Sequence, residues 1–160
     1  MNQKKPIVVA VSGGFDPIHP GHIRMFKQAK ALGDKLVVIV NNDNWVMQKK
    51  KFVFMHDTER KEVLSAIKYV DEVVITKHPK HPQDMSVSAE LLRIRPDIFA
   101  NGGDRHRGNV PEVAICQRIG CRMVDNVGQG GKIQSSSALV DHALKAAPRK
   151  VDVIVKNKKK

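Results

Sequence analysis

The segment Gly13-Gly14-Phe15-Asp16-Pro17-Ile18-His19-Pro20-Gly21-His22 gathers residue types suited to holding a phosphate. Glycines at the end of a strand let backbone amides approach phosphate oxygens closely. A helix opening near Gly21 would aim its unpaired N–H groups and positive dipole end at the same place. His19 and His22 are spaced to lie on one side of that helix entrance, so both imidazoles can face one anionic group. The ordinary alternative is that the two histidines cap and pack the helix. Their combination with the glycines, between a strand and a helix, favours a phosphate site in which imidazoles stand where a Walker loop would carry its lysine.

Such a site needs a strand before it and a helix after it. Residues 7–12 are apolar on both faces and rich in β-branched side chains, as in a buried parallel strand, and Gly13 and Gly14 end the run. Apolar residues at Ile23, Phe26, Ala29 and Leu32 predict a helix over 22–32, stopped by Gly33. Residues 36–40 form a second strand closed by Asn41, Asn42 and Asp43, and a polar loop with Lys49, Lys50 and Lys51 follows. A helix opens at Asp57-Thr58 and ends near Tyr69; 70–75 is a third strand, and the prolines of 78–82 keep that stretch a loop. Then come a short helix at 87–94, a strand at 97–100 ended by Gly102-Gly103, a helix at 110–119, a strand at 121–124 and a last helix at 136–146. The alternation predicts an α/β fold, a doubly wound and mostly parallel five-stranded sheet. Ligands of such sheets sit beyond the carboxyl ends of the strands. The clusters at 13–22, 41–43 and 101–105 all follow strands, so they are expected to meet at one site.

A chain of 160 residues fits one domain, here 1–147, followed by a basic, flexible tail at 148–160. The formal charge is +12, part of it in the tail, yet the body is basic as well. A basic body implies an anionic partner: a nucleic acid, a membrane surface or a phosphorylated small molecule. Aromatic residues make up only 4%, which argues against stacking of single-stranded bases, and no zinc-finger, helix-turn-helix or RNA-binding signature occurs. A nucleic-acid-binding module is therefore the lesser reading. No apolar run reaches the length of a membrane span. With two cysteines and no signal-peptide pattern, the cytoplasm is the expected compartment.

Gly-Phe-Asp-Pro-Ile-His-Pro-Gly-His resembles the His-x-Gly-His signature of the nucleotidyltransferases that include glycerol-3-phosphate cytidylyltransferase, heptose-1-phosphate adenylyltransferase and phosphopantetheine adenylyltransferase. The likeness extends over roughly 7–144: 29–38 is similar to the family's first helix and second strand, Glu59-Arg60-Lys61 and 68–73 to the glycerol-phosphate branch, and Asn101-Gly102-Gly103-Asp104 to a Gly/Asp turn. Ser135-Ser136-Ser137 stands where the family has a Ser/Thr segment at a helix start. The resemblance implies a Rossmann-like fold and attack by a phosphorylated acceptor on the α-phosphorus of a nucleoside triphosphate, releasing pyrophosphate. The attacking oxygen is already anionic, so positioning and charge neutralisation suffice. It further implies Mg2+ carried on the triphosphate rather than on protein side chains, and a homodimer.

By that resemblance, His19 and His22 stabilise charge on the α- and β-phosphates, and Gly13, Gly14, Phe15 and Gly21 lend loop backbone. Asp16 either braces the loop or makes an indirect metal or acceptor contact. Lys50 or Lys51, in a mobile loop, closes over the phosphates, unless the trio with Lys49 is a solvated charge run. Arg60 holds the acceptor phosphate, with a surface ion pair as its alternative. Ser135, Ser136 and Ser137 cap the last helix and bind the β/γ-phosphates, with a plain N-cap as the alternative, while Gly103 and Asp104 touch the nucleotide, with an exposed charged turn over 104–107 as the alternative. His78 and His81 lack a third metal ligand, and Cys116 and Cys121 are expected as buried small hydrophobes. The substrate expectation leans to CTP and a small polyol phosphate such as glycerol 3-phosphate. Adenylyl transfer to a sugar phosphate is its rival, because the Gly102-Gly103-Asp104 turn is closer to that branch and no arginine precedes the serines.

Overall fold

The computed structural model describes residues 4–103, 108, 110–128 and 134–147. Among these, the strands β1 (Val8–Gly13), β2 (Lys35–Val40), β3 (Glu72–Ile75), β4 (Ile98–Gly102) and β5 (Arg122–Val127) form one sheet in the order β3-β2-β1-β4-β5. Every pairing is parallel, so the expected doubly wound sheet is present. The helices are α1 (Pro20–Lys30), α2 (Asp43–Lys50), α3 (Asp57–Ser65), α4 (Ser88–Ile94), α5 (Val113–Ile119) and α6 (Ser136–Ala146).

Strand alternation divides the core into two layers. Val9, Val11, Leu36, Val38 and Val40 pack with Phe26 and Ala29 of α1 and Leu64 of α3. Ala10, Ile39, Phe99 and Met123 face the other way, against Leu91 of α4 and Cys116 of α5. At the amino ends of the strands, carboxylates take up N–H groups that lack a ladder partner. Asp97 accepts from Val8 at 2.8 Å and Asp71 from Leu36 at 2.6 Å. Gly33 is needed between α1 and β2, because a Cβ there would stand 2.8 Å from the Ile7 carbonyl oxygen.

Strand order reverses between β1 and β4, which fixes the crevice at the carboxyl end of β1. Several boundaries differ from the sequence expectation. The stretch with Lys49 and Lys50 is the end of α2, not a loop: Asn42 caps it, its Oδ1 accepting from Trp45 N–H at 3.1 Å. Only Trp45 and Val46 of α2 are buried, too few to leave an apolar period in the sequence. α1 begins at Pro20 because His19 supplies its cap, and α3 stops at Ser65, well short of Tyr69. β5 runs on to Val127 through a register shift against β4. The proposed tail, 148–160, lies outside the described residues.

Candidate active site

The chain leaves β1 through Gly13, where a Cβ would stand 2.8 Å from the Phe15 ring. Phe15 sits in the left-handed region at φ 50 and turns its buried ring edge-on to His22, with centroids 4.9 Å apart. Asp16 is fully buried, its two carboxylate oxygens accepting from Phe54 N–H at 2.8 Å and Met55 N–H at 2.7 Å. It therefore braces the loop against the segment between α2 and α3.

His19 is the N-cap of α1, and its Nδ1 accepts from Gly21 N–H at 3.1 Å. Nδ1 of His22 accepts from His19 N–H at 3.2 Å. The rings stack with centroids 3.7 Å apart. A Cβ on Gly21 would stand 2.9 Å from His19 Cε1, so glycine leaves room for this ring. With both Nδ1 atoms accepting, each neutral imidazole carries its proton on Nε2. Burial pushes the His19 pKa down, and the Lys50 charge adds to the effect. His22 is lowered to about 3, by burial first and then by His19 and Lys50. Both rings are thus neutral at pH 7. The caps use only the Nδ1 atoms, so a phosphate-facing role through Nε2 is compatible with them.

Among the three lysines, Lys50 is the one drawn inward. It is half-buried and its Nζ donates to the Asp16 carbonyl at 2.9 Å. Burial holds its ammonium below the usual lysine range, with Asp16 opposing and Arg60 adding to the shift. Lys51 caps α2 in the left-handed region at φ 68 and its Nζ donates to Gln48 O, while Lys49 is exposed. Lys50 thus lies in α2 rather than in the loop expected from sequence, while Lys51 stands at the start of the 51–56 loop.

Arg60 departs most from expectation. Instead of reaching from a helix surface toward an acceptor or a surface ion pair, it is 1% exposed, and its ion pair with Asp43 is made inward. Nε donates to Met55 O at 2.8 Å, Nη1 to Gly14 O at 2.7 Å and Asn41 O at 2.6 Å, and Nη2 to Asp43 Oδ1 at 2.7 Å. Its guanidinium ties the exits of β1 and β2 together. Burial pushes the Asp43 pKa up, but hydrogen bonds from His56 and Arg60 outweigh it and hold the carboxyl below the usual range. Asn41 and Asp43 entered the sequence reading as part of the 41–43 cluster expected at the site, without individual roles. Their position after β2, beside the signature loop, was the available signal.

On the β5 side, Ser135 Oγ caps α6 by accepting from Ala138 N–H at 3.1 Å. Ser136 is buried and donates to Pro17 O at 2.7 Å, which fixes the start of α6 against the signature loop. Ser137 is exposed. Gly103 has φ +67 with open space around its Cβ position, and Asp104 lies outside the described residues. His78 is spent on Thr76 Oγ1 and Ser86 O rather than exposed. Among the described residues no cluster of His, Cys, Asp and Glu could hold a metal. Cys116 and Cys121 are buried, and burial raises both thiols, Cys121 to about 12. No described helix is long and apolar enough to cross a membrane.

A parallel sheet with this strand order, a glycine exit from β1 and paired imidazoles at the head of α1 define a nucleotide-handling α/β protein. The cytidylyltransferase-like family model matches residues 10–127, and the chain belongs to that family of nucleotidyltransferases. It is 43% identical over 106 residues to the FAD synthase of Pyrococcus horikoshii, covering 66% of this chain and 68% of that protein. To the FAD synthase of Thermococcus kodakarensis it is 46% identical over 105 residues, covering 64% and 66%. Among solved structures, it is similar to the lipopolysaccharide core biosynthesis protein of Thermoplasma volcanium, at 28% identity and a TM-score of 0.63, over 76% of this chain and 97% of that one.

Proposed function

We propose that this chain is an adenylyltransferase that joins the AMP unit of ATP to the phosphate of flavin mononucleotide, forming FAD and pyrophosphate. The observation that carries the choice of acceptor is the identity of 43–46% to relatives named FAD synthase. It displaces the lean to CTP and glycerol 3-phosphate, which rested on the spacing of Lys51, Arg60 and the run to Val73. With Arg60 turned inward, that spacing reports a structural brace rather than an acceptor contact.

In the proposed reaction a phosphate oxygen of the flavin attacks the α-phosphorus of ATP. The bond from that phosphorus to the bridging β-oxygen breaks, and pyrophosphate leaves with the electron pair. No protein nucleophile is required. His19 and His22 donate Nε2–H bonds to phosphate oxygens, and α1 adds its unpaired N–H groups and dipole. As neutral donors, the imidazoles need not lose a proton to work at neutral pH. Lys50 supplies positive charge beside them, and the start of α6 receives the outgoing β- and γ-phosphates. Mg2+ would bind the triphosphate oxygens and neutralise part of their charge. Asp16, with both carboxylate oxygens committed to backbone N–H groups, suits the brace rather than a metal ligand.

A second reading, adenylyl transfer to a sugar phosphate, is favoured by the likeness to the Thermoplasma lipopolysaccharide core biosynthesis protein. Pyrophosphate release separates the readings, measured for ATP and CTP against flavin mononucleotide, glycerol 3-phosphate and a heptose 1-phosphate. Release with ATP and flavin mononucleotide is expected. Release confined to another pair would replace this reading by the one that pair defines.

A further inference from the structure

On a basic protein, one apolar groove is bordered by glutamates. Glu59, Glu62 and Val63 of α3, with Ala66 at its C-cap, fall at helical spacing on a single stripe. Together with Phe54 and Met55 of the preceding segment, they line an open groove of about 600 Å3. Phe54 is 55% exposed and Val63 39%, so two large apolar side chains face outward side by side in it. Both glutamates are exposed, and neither has an ion-pair partner among the described residues.

The groove backs onto the signature loop. The Phe54 and Met55 N–H groups hold the Asp16 carboxylate, and Met55 O accepts from Arg60 Nε at 2.8 Å. α6 starts at the same loop, where Ser136 Oγ donates to Pro17 O at 2.7 Å. It has 11 residues, a length of about 16 Å at the helical rise. Residues 148–160 follow it, and extended they span about 40 Å. About five of them cover the length of α6, so the rest can return to the loop whichever way that helix points.

The composition of that segment complements the groove. Val151, Val153, Ile154 and Val155 are apolar, and Arg149, Lys150, Lys156 and the lysines of 158–160 are cationic against the one acid Asp152. We propose that residues 148–160 dock in this groove of their own chain. The valine-isoleucine run covers Phe54 and Val63, the lysines pair with Glu59 and Glu62, and the docked segment clamps the brace on Asp16. The tail's own groove is favoured over that of a second copy, because a short tether holds the tail near it at about millimolar effective concentration. The inference stands apart from the choice of acceptor, since it uses only the groove, the tail and the loop between them.

Tryptic cleavage after Lys150 tests it, timed in the full chain and in a free peptide of residues 145–160. Docking should slow the cut in the full chain at least tenfold relative to the peptide, and equal rates would overturn the inference without any variant. Phe54→Ser combined with Glu62→Gln, both at exposed positions, should bring the rate in the full chain to within about twofold of the peptide. Protection that survives both substitutions would overturn the inference by placing the tail elsewhere. A photo-crosslinker in place of Phe54, in a mixture of 14N- and 15N-labelled full chains, identifies the occupant. Crosslinks to 148–160 within one isotopic chain are expected. Crosslinks between the two isotopic forms, or none to the tail, would overturn the inference, the former by making the groove a contact between copies.

Discussion

The proposed mechanism asks each imidazole of the pair to divide its two nitrogens between fold and chemistry. Nδ1 of His19 and of His22 accepts from a backbone N–H, and Nε2 is the atom proposed to face substrate. Asparagine can place an oxygen near the Nδ1 position but has nothing at Nε2, and it is a good N-cap. His19→Asn and His22→Asn are therefore expected to fold with midpoints near the native value. Turnover should fall by a factor of about 10² or more, on the scale of losing one oxyanion donor. Rates of pyrophosphate release alongside thermal melts check this, and a near-native rate in either variant would remove that ring from the chemistry. Stability carries a second signature. The folded pKa of His22 is depressed to about 3 from 6.5, so between those values the unfolded chain binds a proton that the folded chain does not. Stability should be full above about pH 6.5 and fall as the pH drops through that window. Denaturant melts of His22→Asn should show a shallower fall there.

Elements matter through how they are tied together. α2, α3 and the exits of β1 and β2 converge on Arg60, whose four hydrogen bonds join Met55, Gly14, Asn41 and Asp43. Arg60→Lys cannot reproduce the planar fork and leaves buried carbonyls unpaired. A loss of about 3 kcal/mol in denaturant unfolding is expected, the scale of breaking a buried charged network, together with loss of activity because the signature loop loses its brace. Retained stability would show that the network is dispensable. Along α2, Lys50→Met should lower turnover at least tenfold. Lys51→Gly should keep turnover and add up to about 1 kcal/mol, since glycine relieves the left-handed cap. A reversal between the two lysines in the same rate assay would move the functional charge to Lys51.

At the scale of the whole molecule, the order of strands and helices was legible because β1 and β2 are β-branched runs ended by glycine or asparagine, and the other strands are short apolar runs set between helical stretches. The signature loop was legible because its residue types have few other uses together. α2 was not, since two buried side chains leave no period. The inward turn of Arg60 was hidden as well, because its partners are backbone oxygens from distant segments that no residue type announces. The tie through Asn41 was hidden for a similar reason: an asparagine after a strand reads as a turn until its backbone is seen bonded to Gly13 and Arg60. On the proposed reading, the chain aligns two phosphates for direct transfer and contributes no nucleophile of its own. Incubation with ATP labelled at the α-phosphorus and Mg2+, with and without flavin mononucleotide, tests that most directly. Label should enter FAD only when the flavin is present, with none bound covalently to the chain at any time; label on the protein, or no labelled FAD, would contradict the account.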